Sequence, residues 1–385
     1  MKSNKIKIPF NKPHISKKEL AYIKHAHLLG HLAGDGYYTK MCSEFIEEYI
    51  HVQKCLLTHS CTGALEMMAI LSNVQPGDEV IMPSFTFVST ANAFVLRNAV
   101  PVFVDIRRDT LNIDEKKIEE AITPRTKAIV PVHYAGVSCE MDEIIALARK
   151  HNLLVLSDAA QAFSSLYKDK PVGSYGDMSS YSFHETKNII SGEGGSLVIN
   201  NKKFIERAEI IREKGTNRAR FFRGQVDKYT WMDIGSSYLP SEIVSAFLYA
   251  QLERVDTINK KRIKIWNTYN NALKELEEKE FLRRPTIPSH ITHNGHLYYI
   301  LLNDLATRTS LIEYLKRKGV LSVFHYIPLH SSPAGKKFTR SSGKLPVTNS
   351  TSNTLLRLPL YYDMKEDDAK EIIEHIYSFF KHSSS

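Results

Sequence analysis

Residues 128–158 read AIVPVHYAGVSCEMDEIIALARKHNLLVLSD, with an apolar run on either side of an amphipathic segment. The runs at 128–132 and 153–157 have the length of buried strands, and residues 140–151 have the length and apolar spacing of a helix. A strand, a helix and a second strand in this order predict a right-handed βαβ unit with two parallel strands. Because the apolar residues of both runs are nearly continuous, we expect helices to cover both faces of the sheet.

The same alternation of short apolar runs and longer amphipathic stretches continues from about residue 55 to about residue 250. The predicted strands are 54–58, 79–83, 101–104, 128–132, 153–157, 179–183 and 196–199. The predicted helices include 64–71, 140–151 and 203–214. This order of elements predicts an α/β fold with a mostly parallel mixed sheet flanked by helices.

The pattern changes in the C-terminal part of the chain. Residues 242–276 predict one long helical region, and shorter strand and helix signals follow at 297–302, 308–318, 323–329 and 365–380. Residues 333–352 are rich in Gly, Ser and Lys and predict a long loop. We therefore expect a large domain over residues 1–250 and a smaller α+β domain over residues 251–385.

The composition of the 385 residues, with 43% hydrophobic and 24% charged residues, is that of a globular protein and excludes disordered and disulfide-scaffold classes. No apolar run approaches the roughly 20 residues of a membrane helix, and the N-terminal lysines precede no apolar stretch of a secretory signal. The four cysteines form no CxxC or CxxH pair, which argues against a metal site. We expect a soluble cytoplasmic protein.

The net charge of +9 raises the question of an anionic partner. The densest basic cluster is short and includes Arg218 and Arg223, with Phe221 and Phe222 between them. A solvated loop explains this cluster better than a nucleic-acid site, because no nucleic-acid-binding motif accompanies it. We expect neither nucleic acid nor a membrane as a partner.

Two segments point to a bound phosphate and a bound ring. Residues 58–65, THSCTGAL, place Ser60, Thr62 and Gly63 at a strand-to-helix switch, where hydroxyls and unpaired N–H groups attract a phosphate. Residues 82–87, MPSFTF, place Phe87 at a strand exit, where its face could stack on a planar ring. The alternatives are an ordinary helix cap for the first segment and core packing for the second.

Two further segments carry an acid and a lysine. Asp158 follows a buried strand directly, where it could pair with a protonated ring nitrogen, and Gln161 could reach a neighbouring ring substituent. Lys187 lies between the apolar run 179–183 and a glycine-rich stretch, where burial would lower its pKa enough for it to react with an aldehyde. The alternatives are a helix cap for Asp158 and a solvated surface position for Lys187. Together with the first two segments, however, they supply the groups that bind pyridoxal phosphate.

The order of these four segments resembles fold-type I pyridoxal-phosphate enzymes. The sequence is most similar to the DegT/DnrJ/EryC1/StrS sugar aminotransferases. Within that family it resembles the group that makes dTDP-4-amino-4,6-dideoxygalactose for enterobacterial common antigen. The resemblance covers nearly the whole chain, and its most specific stretches are GDEVIMPSFTFVSTANAFVLR, IVPVHYAG, SFHETKN, AEIIREKGTNR and FFRGQVDKYTWMDIGSSY.

The resemblance implies roles for individual residues. Lys187 matches the lysine that joins pyridoxal 5′-phosphate covalently, Asp158 the partner of the ring nitrogen, and Gln161 the residue near the ring hydroxyl. Phe87 takes the stacking position. The positions implied for the phosphate are Cys61, Thr62, Gly63 and Ser182. Many relatives carry an Asn that reaches the cofactor phosphate of the neighbouring subunit. This chain has Ser237 there, so the implied homodimer with sites at its interface would depend on a serine.

The implied reaction moves an amino group from glutamate to C4 of a dTDP-4-keto-6-deoxyhexose. The residues that could contact this substrate are His184, His330, Arg218 and Arg223. Amination at C3, formation of the gluco isomer and use of a UDP-sugar stay open as alternatives. A related dehydratase is disfavoured because such relatives carry His in place of Lys187. A regulatory protein or a nucleic-acid-binding protein would not need the lysine and the acid together.

Overall fold

The computed structural model describes residues 6–383. Thirteen strands occur in this part of the chain: β1 Lys54–Thr58, β2 Glu79–Pro83, β3 Val100–Val104, β4 Thr126–Ile129, β5 Leu154–Asp158, β6 Leu166–Tyr167, β7 Lys170–Pro171, β8 Met178–Ser182, β9 Gly195–Ile199, β10 Ile291–Thr292, β11 Tyr298–Leu301, β12 Arg340–Ser341 and β13 Leu355–Leu358.

Fifteen α-helices occur in the same described residues: α1 Lys18–Leu28, α2 Tyr37–Ile50, α3 Cys61–Leu71, α4 Val88–Val95, α5 Ile118–Ala121, α6 Met141–Lys150, α7 Ile205–Arg212, α8 Arg218–Phe222, α9 Glu242–Leu252, α10 Val255–Ala272, α11 Lys274–Glu278, α12 Leu305–Arg317, α13 Pro333–Phe338, α14 Pro346–Thr354 and α15 Glu366–Ser383. None of the helices within residues 6–383 combines the length and the apolar character needed to cross a bilayer.

Eight strands form the large sheet, in the order β1-β9-β8-β5-β4-β2-β3-β12. The pairings from β8 to β12 are all parallel, and β9 runs antiparallel to both of its neighbours. Strands β2, β8 and β9 are buried along their whole length. The predicted α/β fold with a mostly parallel mixed sheet is confirmed.

Apolar clusters cover both faces of this sheet. One contains side chains of α2 and α6, for example Ile46 and Ile144, and the other contains side chains of α3 and α7, for example Met68 and Ile211. Burial of each large aliphatic side chain contributes roughly 1.5–3 kcal/mol, so these layers hold the sheet edges in a fixed position. Side chains at the ends of these strands are therefore held by a well-packed sheet.

A third apolar cluster lies in the C-terminal part, where α10, α12 and α15 pack around the two-stranded sheet β11-β13. Ile8 belongs to this cluster and forms a parallel bridge with Val320, so the start of the described chain packs against its C-terminal part. The division at residue 250 stays a prediction. Residues 1–5 and 384–385 at the outer ends of the two predicted domains lie outside the described residues.

The predicted continuous helical region 242–276 is wrong in one respect, because it consists of α9, α10 and α11. The backbone of Arg254 leaves the helical conformation between the first two of these helices. Glu253 at this break binds Lys18 and Tyr22, and Arg254 donates to the hydroxyl of Tyr362. Contacts from distant parts of the chain thus accompany an interruption that the local pattern did not indicate.

The predicted loop over residues 333–352 is also wrong, because this segment contains α13, β12 and α14. The guanidinium of Arg340 donates two hydrogen bonds, of 2.9 and 2.6 Å, to the fully buried carboxylate of Glu79. The carboxylate of Asp105 accepts hydrogen bonds from the backbone N–H groups of Val347 and Thr348 in the first turn of α14. Acids on other elements therefore order a segment whose composition is that of a loop.

Candidate active site

Strands β1, β2, β5 and β8 end at the same edge of the large sheet, and a cavity of about 530 Å³ opens there. We call it the strand-edge cavity. Ligands of open α/β sheets bind outside the carboxyl ends of the strands. The predicted site residues that line it are Cys61, Thr62, Phe87, Asp158, Gln161, Ser182, His184 and Lys187. Four separate segments of the sequence thus meet in one place.

Lys187 lies in a tight turn that follows β8. Its backbone N–H donates to the carbonyl of His184 at 2.9 Å, and the side chain of the next residue, Asn188, donates to the carbonyl of Asn294 at 2.8 Å. These contacts fix the turn, so that the lysine side chain enters the strand-edge cavity. Burial lowers the pKa of Lys187 below its ordinary value, which favours the neutral, nucleophilic amine.

Asp158 is the last residue of β5 and is 5% exposed. Its Oδ2 accepts a hydrogen bond of 2.7 Å from the hydroxyl of Thr90, and its Oδ1 accepts one of 3.1 Å from the backbone of Ala160. Burial raises the pKa of Asp158, while these hydrogen bonds and the charge of Lys187 oppose the rise. A carboxylate in such a place gains much from a cationic partner, and a protonated pyridine nitrogen is one.

Gln161 also lines the cavity, but its amide is already engaged. The Oε1 atom accepts from the backbone N–H of Ala135 at 2.7 Å, and Nε2 donates to the hydroxyl of Tyr326 at 2.8 Å. Gln161 therefore joins the sheet edge to a tyrosine of the C-terminal part. A ring hydroxyl bound here would meet Gln161 and Tyr326 together.

The start of α3 supplies hydrogen-bond donors. Ser60 caps the helix by accepting from the backbone N–H of Gly63 at 3.1 Å. Cys61 and Thr62, the first two residues of α3, line the cavity, and their backbone N–H groups have no intrahelical acceptor. A Cβ on Gly195 would lie 2.4 Å from the backbone nitrogen of Cys61, so only glycine lets β9 approach this helix start. Gly63, which was also predicted to bind the phosphate, does not itself line the cavity.

For residues 58–65 the alternative was an ordinary helix cap, and for residues 82–87 it was core packing. The first alternative holds in part, and the second does not hold for Phe87. Ser60 does cap α3, yet the same turn faces the cavity. Phe87 directly precedes α4 and is 57% exposed, with its ring on the wall of the strand-edge cavity. An exposed aromatic face beside a buried acid suits a planar, cationic ring.

His133 provides an independent sign that a polar ligand belongs in this cavity. Its Nδ1 accepts from the backbone N–H of Cys139 at 3.1 Å, so the proton of the neutral ring lies on Nε2. Nε2 is buried and has no hydrogen-bond partner among the described residues. Burial lowers the pKa of His133 to about 3, so the ring remains a neutral donor. An orphaned buried donor on the cavity wall fits an oxygen-bearing ligand.

Three other histidines, of which His184 and His330 were predicted to contact the substrate, lie in different places. The ring of His184 lines the cavity and lies 3.5 Å from the carboxylate of Glu193. His325 lines it as well, with Nδ1 at 2.7 Å from the hydroxyl of Tyr134. His330 lies outside the lining, and its Nδ1 is 2.7 Å from the hydroxyl of Ser84. Within one chain, His330 therefore supports the strand exit next to Phe87 rather than the cavity wall.

Ser237, Arg218 and Arg223 lie in a second cavity, of about 1130 Å³, which we call the arginine cavity. Arg218 and Arg223 form ion pairs with Glu213 and Glu209, at 3.3 and 2.9 Å. These three residues do not meet Lys187 within one chain. Their predicted roles thus depend on a second subunit.

Sequence reasoning missed several residues that complete the strand-edge cavity, namely Arg262, His296, Tyr326 and Arg357. All four come from the C-terminal part, and none belongs to a motif of fixed spacing. Thr90, in the first turn of α4, is a further residue that was not predicted, and its hydroxyl donates to Oδ2 of Asp158. The residues present fit pyridoxal 5′-phosphate, with a lysine, an acid for the ring nitrogen and free N–H groups for the phosphate.

Comparisons with known proteins agree with this geometry. Residues 13–377 match the DegT/DnrJ/EryC1/StrS aminotransferase family. The chain is 33% identical over 382 residues to the spore coat polysaccharide biosynthesis protein SpsC of Bacillus subtilis, with 97% of each chain covered. Its structure is similar to that of Helicobacter pylori PseC, an aminotransferase involved in the biosynthesis of pseudoaminic acid, with a TM-score of 0.89, 27% identity, and 97% and 99% of the two chains covered. It is also similar to the PLP form of Spr1654 from Streptococcus pneumoniae, with a TM-score of 0.89, 26% identity and the same coverage.

Proposed function

The chain belongs to the DegT/DnrJ/EryC1/StrS aminotransferase family, and from this premise we propose that it transfers an amino group from glutamate to C4 of a dTDP-4-keto-6-deoxyhexose. The product of this reaction is dTDP-4-amino-4,6-dideoxygalactose. The protein is a sugar aminotransferase that uses pyridoxal 5′-phosphate. The observation that carries the proposal is the meeting of Lys187 and Asp158 in one cavity, beside the start of α3.

When bound, pyridoxal phosphate supplies an electron-withdrawing ring that stabilises negative charge on the reacting carbon. Asp158 would hold the proton on the ring nitrogen, because Thr90 and Ala160 fix its carboxylate. The N–H groups of Cys61 and Thr62 and the hydroxyl of Ser182 would hold the phosphate. Phe87 would cover one face of the ring, and Gln161 with Tyr326 would meet its hydroxyl.

Lys187 would move the proton in each half of the reaction. In each half its Nζ would carry one proton between the reacting carbon and the cofactor: it would take the proton from the donor carbon in the first half and deliver a proton to C4 of the sugar in the second. A lowered pKa suits both tasks, since the amine must be neutral to accept a proton and must release that proton again. His184, on the same wall, is the proposed contact of the sugar.

We further propose a homodimer with sites at its interface. Phe222, which is 69% exposed, lines the arginine cavity, and Trp231, which is 79% exposed, lies on a segment that bridges to Thr216. Exposed aromatic side chains of this kind favour a protein contact. Across a two-fold axis, Ser237, Arg218 and Arg223 of one subunit would reach the cofactor phosphate and the diphosphate of the substrate in the other. Replacement of Trp231 by Asp should then give monomers in light scattering, with loss of activity.

The experiment that tests the reaction is incubation of the cofactor-loaded protein with glutamate and a panel of keto-sugar nucleotides. The panel contains dTDP-4-keto, dTDP-3-keto and UDP-4-keto sugars, and NMR determines the position and configuration of the new amine. We expect an axial amine at C4 on the dTDP sugar. Amination at C3, an equatorial amine or a preference for UDP would overturn this assignment, and the variant Lys187→Ala is the control for uncatalysed reaction.

A further inference from the structure

The ring of His296 lies on the wall of the strand-edge cavity, just before β11, and its backbone is fixed on both sides. Its N–H group donates to Oδ1 of Asn294 at 3.0 Å, and its carbonyl accepts from Nη2 of Arg262 at 2.6 Å. The residue is 8% exposed, so the surrounding packing holds the ring in one orientation. What the ring can bind then depends on which of its nitrogens carries the proton.

The hydrogen bonds of Asn188 decide this point. Nδ2 of Asn188 donates to the backbone carbonyl of Asn294 at 2.8 Å, and a carbonyl oxygen can only accept. The oxygen of the same side-chain amide, Oδ1, faces His296 and lies 3.0 Å from its Nδ1. Because an amide oxygen also only accepts, the proton of the neutral ring lies on Nδ1. The other ring nitrogen, Nε2, is left with a free lone pair.

Nε2 of His296 opens onto the cavity. It has no hydrogen-bond partner within residues 6–383, and unlike Nε2 of His133 it is not fully enclosed by protein atoms. The strand-edge cavity is the space that this ring lines. Burial and the charges of neighbouring cations, that of Lys187 first, lower the pKa of His296 well below its ordinary value, so the ring stays neutral. Nε2 is therefore a hydrogen-bond acceptor that faces the ligand space.

The chemistry of the ligands indicates what this acceptor binds. The carboxylates of an amino donor and the phosphates of a cofactor or nucleotide are themselves acceptors, and the amino group of the donor is the reacting group. A sugar, in contrast, brings hydroxyl groups that can donate. Because Asn188 directly follows Lys187, the ring of His296 is joined to the turn that carries the reacting amine. A hydroxyl beside the reacting carbon, which is the C3 hydroxyl of the proposed substrate, is thus the donor that fits.

We propose that Nε2 of His296 accepts a hydrogen bond from the C3 hydroxyl of the keto-sugar nucleotide and so selects sugars that carry a hydroxyl beside the reacting carbon. This inference rests on the proposed aminotransferase function and adds to it a residue that determines sugar specificity. A site that binds a substrate hydroxyl rejects the analogue that lacks it, because the buried acceptor is then left without a partner.

Two pairs of ligands test the proposal on the cofactor-loaded protein. The first pair is the dTDP-4-keto-6-deoxyhexose and its 3-deoxy analogue, which are compared by kcat/KM. The second pair is dTDP-6-deoxygalactose, which has no carbonyl and cannot react, and its 3-deoxy analogue, whose dissociation constants are measured by calorimetry. We expect the wild type to prefer the 3-hydroxy member about 10- to 100-fold in kcat/KM and about 10-fold in binding.

The variant His296→Asn separates the two nitrogens of the ring. The amide nitrogen of asparagine can take the place of Nδ1 and keep the hydrogen bond to Asn188, but nothing replaces Nε2. We expect the preference within each pair to fall below about threefold, while the apparent dissociation constant of glutamate in the first half of the reaction changes less than about twofold. His293→Asn is the matched control. The ring of His293 lies 4.5 Å from that of Trp266, outside the cavity lining, so this variant should keep the wild-type preference.

Three results would overturn the proposal. Equal binding of dTDP-6-deoxygalactose and its 3-deoxy analogue by the wild type would show that no acceptor meets this hydroxyl, whether or not the variants fold. A wild-type preference that persists in His296→Asn would assign the hydroxyl to another residue. Equal losses with glutamate and with the keto-sugar nucleotide would show that His296 supports the turn of Lys187 and not the sugar. If the wild type does not aminate the keto-sugar at C4, the proposed function fails instead, and calorimetry still decides the role of His296 because it requires no turnover.

Discussion

The hydroxyl of Thr90 donates a hydrogen bond of 2.7 Å to Oδ2 of Asp158 and thereby joins the first turn of α4 to the end of β5. Thr90 is itself 2.8 Å from the hydroxyl of Thr86, and all three side chains are buried. The hydroxyls of Thr86 and Thr90 thus form a hydrogen-bonded chain that fixes the orientation of the Asp158 carboxylate. Its free surface faces the strand-edge cavity, where a ring nitrogen would lie.

Replacement of Thr90 by Val should therefore weaken the site without changing its volume. Valine removes the donor and leaves the carboxylate free to rotate, so we expect about a 10-fold loss in kcat, which corresponds to a hydrogen bond to a charged group. Thr90→Ser, which restores the hydroxyl, is the matched control and should keep most of the activity. Equal rates for the valine variant and the wild type would show that Thr90 does not position Asp158.

The variant Asp158→Asn tests the acid itself. Asparagine has nearly the same shape but cannot hold a proton on the ring nitrogen, so the ring withdraws electrons poorly. We expect the protein to keep some cofactor, as measured by absorbance after dialysis, while kcat falls about 100-fold or more, which is about 3 kcal/mol in the barrier. An asparagine variant with the wild-type rate would refute the role of this acid.

The variant Lys187→Ala should lose both the visible absorbance of the covalently joined cofactor and all turnover. Lys187→Arg is its control, because it keeps a cation in the cavity but cannot form the covalent bond or serve as a base at neutral pH. If either variant kept the visible band, another amine would have to be the attachment point.

The sequence pattern predicted the large sheet well, and particular strands show why. The bounds of β1 and β2 are those predicted, because each apolar run is flanked by polar or turn residues. Strand β4 was predicted at 128–132 but runs from Thr126 to Ile129. It ends before Pro131, which has no N–H to donate to a neighbouring strand.

What the pattern did not predict depends on partners distant in the chain. Helix α14 begins where Asp105 accepts from its first N–H groups, and β12 is held beside β3 by Arg340 on Glu79. The residues of the candidate site likewise fall into those that a local sequence segment predicts and those that it does not. Asp158 and Lys187 stand in recognisable local segments, whereas Arg262 and Arg357 enter the cavity only through packing of the C-terminal part. A single sequence carries no local signal for such an approach.

Phe87 offers a test of the ring-binding geometry. Its replacement by Ala removes an exposed aromatic face, so the cofactor should dissociate about 10-fold more readily, within the range of an aromatic contact. The preference among keto-sugar nucleotides should not change. Phe87→Tyr is the conservative control and should retain the cofactor. Measurement of the cofactor dissociation constant by dialysis decides the matter, and normal retention by the alanine variant would count against stacking.

The ion pair that orders residues 333–352 predicts a loss of stability in acid. The hydrogen bond from Arg340 lowers the pKa of Glu79 to about 2, from an ordinary value of 4.5. Because the folded state binds this proton less readily than the unfolded state, the contribution to stability is complete above pH 4.5 and is lost as the pH falls towards 2.

The variant Arg340→Met should remove this contribution. We expect the free energy of unfolding at pH 7 to fall by about 3 kcal/mol, since a buried carboxylate loses its main partner. Its decline between pH 5 and pH 3 should also become shallower, because the pKa of Glu79 returns towards its ordinary value or above. Lys336→Met, which removes an exposed cation from the neighbouring helix α13, is the matched control. Urea unfolding across this pH range makes the measurement, and parallel pH profiles for Arg340→Met and the wild type would contradict the assignment to this pair.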